Sequence, residues 1–166
     1  MATTAQRSHV VHLLDSLYTY RTHLLYPAGD QRTNRDGVSW RLTESQALAM
    51  LHGGGFWQGD CSEFCPWVLK CAGLWRWAQP GYTGSHLEQL PVYLNAANAL
   101  AGALVIFGPG TGHHEAIVHT PDPHEGNPLL ASHGRPGYDR VTLKELERQQ
   151  TNEGYPGVRL LSIAHL

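Results

Sequence analysis

The residues of this 166-residue chain best suited to chemistry are its three cysteines and eleven histidines. Cys61, Cys65 and Cys71 form an odd set that cannot be fully paired inside one molecule, so a disulfide framework is a poor reading and reduced thiols are expected. Cys61 differs from the other two in its neighbours. In Asp60-Cys61-Ser62-Glu63, Asp60 is a helix-capping type and Glu63 falls at the reciprocal capping position, which leaves Cys61 as the first helical residue. Free backbone N–H groups and the positive end of the helix dipole favour thiolate there, so the spacing predicts a thiol acidified toward neutrality. The same donors suit an oxyanion, which makes Asp60 and Ser62 the expected positioning and oxyanion-side residues. Cys65 and Cys71 read as small core residues of that helix.

A nucleophilic thiol needs a base, and the base needs a partner that fixes its tautomer. In His113-His114-Glu115-Ala116-Ile117-Val118, period-two alternation puts His114, Ala116 and Val118 on one face and His113, Glu115 and Ile117 on the other. The face with small Ala116 is expected to receive the Cys61 helix, with His114 as base and His113 turned to polar surroundings. Farther on, Leu129, Ala131 and His133 share a face, and pairing of the two strands is expected to align His133 with the Nδ1 proton of His114. A metal site is a weak competitor, because Cys-x3-Cys-x5-Cys lacks the close pairs usual for zinc. No metal and no cofactor is expected.

These residues need helices and a sheet to hold them. Val11, Leu14, Leu17 and Tyr18 predict an amphipathic helix over Ser8 to Leu25, ended by the turn residues 26–30. Residues 29–39 are polar and glycine-containing. Thr43 and Gln46 have the spacing of a capping box for a short helix that Gly53-Gly54-Gly55 stops. Phe64, Trp67, Val68, Cys71, Ala72 and Trp75 form the buried stripe of the nucleophile helix, about residues 60–74, in which Pro66 should kink the helix or shift its start. Four apolar runs read as strands: Leu104 to Phe107, Ala116 to Val118, Leu129 to Ala131 and Val158 to Ala164. Thr142 to Gln150 reads as a polar helix capped by Thr142, with Glu145 at the box position. Helices first and strands later predict an α+β fold with a largely antiparallel sheet, the histidine-bearing strands falling at about 103–133.

With 42% hydrophobic residues the chain supports one core, and residues 1–166 read as a single domain. The net charge is -2 with no basic block, so nucleic acid is not an expected partner. No run of eighteen apolar residues and no signal-peptide pattern occurs, so neither a membrane anchor nor export through a leader is expected. A monomer is expected.

Asp60-Cys61-Ser62, the run Ala103 to Phe107, His114 with Ala116-Ile117, and a polar residue on the next strand resemble, in order and spacing over residues 53–133, the NlpC-type cell-wall cysteine peptidases. Cys71-Ala72-Gly73-Leu74, Gly81-Tyr82-Thr83-Gly84 and Pro128 to Gly134 look most like versions carried by bacteriophages of actinobacteria. The resemblance implies a papain-like core in which a helix presents Cys61 to a sheet carrying His114 and His133. It also implies peptidoglycan stem peptides as substrate, cut between D-γ-glutamyl and a diamino acid, by a phage lysin or tail-associated enzyme made in the host cytoplasm and acting on the wall or carried on the virion. An amidase with the same Cys/His chemistry, a non-catalytic wall-binding module and a zinc-binding module are the alternatives. The chain departs from the family pattern at Glu63, where the family has Gly, and in His52 to Trp57, which holds no Tyr before the nucleophile.

Overall fold

Local capping decides where most of the helices begin. In this computed structural model, which describes residues 2–27, 38–90, 92–93 and 95–163, helix α1 (Thr4–Thr19) starts four residues before the expected position, because Thr3 and Gln6 exchange the two hydrogen bonds of a capping box. It also stops early. Residues 21–23 wind into a 3₁₀ turn, and Leu24–Leu25 (β1) pair in parallel with Trp57–Gln58 (β2). The polar stretch read at 29–39, and most of the turn before it, lie largely outside the described residues. A short α2 (Val38–Arg41) is followed by α3 (Glu44–His52), which has the Thr43/Gln46 box and Gly53 at its C-cap as expected.

Helix α4 (Cys61–Cys71) begins at Asp60 in spite of Pro66, whose missing N–H lies inside the helix and does not move its start. Phe64, Cys65, Trp67, Val68 and Leu69 are completely buried. Each large apolar side chain among them stabilises the fold by about 1.5–3 kcal/mol. Then come α5 (Thr83–Gln89), β3 (Val92–Tyr93), β4 (Leu104–Phe107), β5 (His114–Thr120), β6 (Leu129–Gly134), β7 (Gly137–Thr142), α6 (Leu143–Asn152) and β8 (Val158–Leu161). Thr142 caps α6 by accepting from Glu145 N. The last apolar run stops as a strand at Leu161, and its expected end, Ala164, lies outside the described residues.

The main sheet has the order β3-β8-β4-β5-β6-β7, and its described pairings are antiparallel. The fold is therefore α+β. Its two faces are covered differently. Ile106, Ile117, Ala131 and Tyr138 join one apolar cluster with residues of α1 and α4, such as Leu13, Phe64 and Val68. Phe107, Ala116, Val118 and Leu130 join a second cluster with Leu143 and Leu146 of α6. This overturns an expectation: α4 packs on the Glu115 and Ile117 face of β5, and the Ala116 face meets α6. Among the described residues no helix is long and apolar enough to cross a membrane.

Candidate active site

At the start of α4, Asp60 has extended backbone and its Oδ1 accepts from Glu63 N at 3.0 Å and from Ser62 Oγ at 2.8 Å. The cap thus holds the first turn, and the Ser62 hydroxyl is engaged in holding Asp60. Cys61 follows as the first helical residue, only 5% exposed. The backbone amide of Glu115 and the side chain of Tyr26 approach its thiol as hydrogen-bond partners. Gly59, just before the cap, has no room for a side chain: a Cβ would stand 2.6 Å from the Trp57 ring and 2.8 Å from a Glu63 carboxylate oxygen.

The expected acidification of Cys61 does not hold. Burial, then the negative charges of Asp60 and Glu115, push the thiol up to about 12, so it rests protonated. The dipole at a helix N-terminus is worth about 0.3–1 kcal/mol, whereas desolvating a charged group shifts its acidity by up to several pH. The larger effect wins.

His114 opens β5. Its Nε2 lies 2.8 Å from Ser132 Oγ, and its ring lies against Phe107 at 6.2 Å between centroids. Burial, then the neighbouring His113 and His133, lower it to about 4, so it is neutral at ordinary pH and keeps an acceptor nitrogen. His133 is not its partner. Ala116 pairs with Ser132 across β5 and β6, so Ser132 shares the His114 face and His133 points to the opposite one. There His133 is fully buried among the rings of Phe64, Trp57 and Tyr26, and its Nε2 donates to Gly59 O at 2.9 Å. Burial holds it neutral too, at about 4. His133 therefore anchors the loop before Cys61. His113 is exposed and stacks flat on Tyr155, with centroids 3.4 Å apart.

Residues flanking Cys61 and His114 nevertheless line one cleft, because His114 is the first residue of its strand. One cleft of about 700 Å³ is lined by Tyr26, Asp60 and Glu63 on one side and by His113, His114 and Ser132 on the other, and it continues past Arg135 toward α6. Two of its residues escaped the sequence reading. Ser132 was legible only through the strand register, and Tyr26 lies far from Cys61 in sequence with no local motif to mark it. Among the described residues no group of three or more His, Cys, Asp or Glu side chains converges to hold a metal ion. Comparison of the chain with family models, with curated proteins and with solved structures gave no match.

Proposed function

We propose that the protein is a cysteine peptidase with a papain-like core that cuts the stem peptides of bacterial peptidoglycan, with Cys61 as nucleophile and His114 as base. The observation that carries this reading is the shared cleft: Asp60 and Glu63, which flank Cys61 at the start of α4, line the same space as a neutral, serine-held imidazole. A protonated thiol beside a neutral imidazole suits a reaction in which the proton leaves as the bond forms. His114 takes the Cys61 proton while Sγ attacks the scissile carbonyl carbon, and the N–H groups of Cys61 and Ser62 at the start of α4 hold the oxyanion. His114 then passes that proton to the leaving amine. A water, deprotonated by the same imidazole, hydrolyses the thioester and restores the thiol. Ser132 fixes the imidazole ring in the role first assigned to His133, and Asp60 with Ser62 holds the turn that carries the thiol.

The resemblance in residues 53–133 supports the substrate class, with the bond between D-γ-glutamyl and the diamino acid as the point of cleavage and a phage lytic role as the setting. The reading is tested with a soluble stem peptide of alanyl-γ-D-glutamyl-diaminopimelate type. Alanyl-D-glutamate and free diaminopimelate, the latter with a newly exposed amino group, are expected; an intact peptide after prolonged incubation with folded protein removes the proposal.

A further inference from the structure

Beyond His114 the cleft passes the hairpin that joins β6 to β7. Gly134 pairs with Gly137 there, so Arg135 and Pro136 form a two-residue turn, and Gly137 takes φ +113°, a conformation that favours glycine. The Pro136 ring fixes its own φ and restricts the residue before it, which stiffens the turn that carries Arg135. Arg135 is exposed and lines the cleft. Among the described residues it has neither a hydrogen-bond nor an ion-pair partner.

The other charges of the lining are spoken for or stand elsewhere. Arg140, its second guanidinium, is committed to Asp15 and to the Leu14 carbonyl. Asp60 caps α4 with Glu63 beside it, Asp139 accepts from the Arg140 N–H, and Glu145 and Glu153 lie on α6 and at its C-cap. An anionic group entering this acidic cleft therefore meets repulsion except at Arg135. The turn also lies against the base. A Cβ placed on Gly134 would stand 3.5 Å from His114 Cε1, the ring carbon between the two nitrogens. Ser132 occupies Nε2, which leaves Nδ1 to carry the proton of the proposed hydrolysis.

We propose that Arg135 is a specificity-determining residue whose guanidinium receives a carboxylate of the leaving amino acid, the diamino acid of the stem. This rests on His114 serving as base in stem-peptide hydrolysis. The base hands its proton to the leaving nitrogen, so that nitrogen and the amino acid behind it lie beside Gly134 and Arg135, while the acyl half stays at Cys61 on α4. A planar guanidinium takes a carboxylate through two parallel hydrogen bonds. A stem that ends at the diamino acid offers its α-carboxylate, and diaminopimelate offers a second one at the far end of its side chain.

The experiment titrates alanyl-γ-D-glutamyl-diaminopimelate calorimetrically into Cys61→Ala, which should bind without cutting, and into the same protein carrying Arg135→Gln. Two further peptides bear an α-carboxamide on the diaminopimelate, or lysine in its place, which lacks the distal carboxylate. Removing the carboxylate that Arg135 holds should weaken binding about tenfold, the order expected of a charge-assisted hydrogen bond at an open site. A loss with the carboxamide assigns the α-carboxylate, and a loss with lysine assigns the distal one. Arg135→Gln should weaken the parent peptide by the same factor and erase the difference between peptides, at an unchanged melting temperature, and Arg135→Lys should restore part of the affinity. Equal binding of all three peptides, a difference that persists in Arg135→Gln, or no binding at all overturns the proposal. Turnover is read separately with Cys61 in place. Carboxylate binding that depends on Arg135 in a protein that cuts no stem peptide leaves this site standing and removes the peptidase reading, whereas cleavage indifferent to Arg135 does the reverse.

Discussion

Acid should destabilise this protein well above the range in which carboxylates usually titrate, and two histidines set the size of the effect. His114 and His133 are both buried and neutral, each lowered from 6.5 to about 4. The unfolded chain binds these two protons at a higher pH than the native state does, so the stabilisation is complete above pH 6.5 and is lost as pH falls from there to about 4. A gap of about 2.5 pH at 1.36 kcal/mol per pH corresponds to about 3 kcal/mol for each histidine, of which about 2 kcal/mol each is gone by pH 5. Glu115 acts in the opposite sense, because burial raises it and the native state accepts its proton early. His86, which is raised, counts only above 6.5, and Asp15 and Asp122, which are lowered, count only near and below 3.8. Urea unfolding followed by tryptophan fluorescence at a series of pH values measures the sum. The expected result is a loss of at least about 2 kcal/mol between pH 7 and pH 5, against a total stability of about 5–15 kcal/mol for a domain of this kind. His133→Gln should show roughly half the wild-type slope once the histidine share is isolated by difference. A flat profile, or the same slope in both proteins, would refute the buried neutral histidines.

Replacing His114 by Ala should lower stem-peptide turnover by about 10²–10⁴-fold, the usual worth of a general base, while His113→Ala, which removes an exposed ring stacked on Tyr155, should stay within a few-fold of wild type. Ser132→Ala should fall between them, on the order of tenfold, with kcat reduced more than KM is raised, because it loosens the base without removing it. Gly59→Ala should lower the melting temperature, reflecting about 1–3 kcal/mol of overpacking against Trp57. Calorimetry reads that effect, and an unchanged melting temperature would mean that the loop moves freely.

Features specified by neighbours in sequence were legible from it. Thr43, Asp60 and Thr142 marked three helix starts because a cap is a contact within three residues, and the apolar runs of β4, β5, β6 and β8 stood out by composition. Strand β7 did not, since Asp139 and Arg140 interrupt its buried Tyr138 and Val141. Register was the main loss. The choice between His133 and Ser132 as the partner of His114 is a matter of one residue on β6, and a slip of one turns every side chain to the other face. The face of β5 that meets α4 was misread for a similar reason: apolar residues lie on both faces, because both are covered. The acidity of Cys61 depends first on its burial and then on the charges of Asp60 and Glu115, so a helix-start argument alone reached the opposite sign.

The proposed reaction is the opening of a cell-wall peptide bond by Cys61. Purified peptidoglycan digested with wild type and with Cys61→Ala, at equal folded concentration, and examined by mass spectrometry for new termini tests it most directly. New diamino-acid N-termini are expected with wild type and none above background with the variant, whose melting temperature should be nearly that of wild type because little buried volume is removed. Undiminished cleavage by Cys61→Ala, or no new termini with folded wild type, would contradict it.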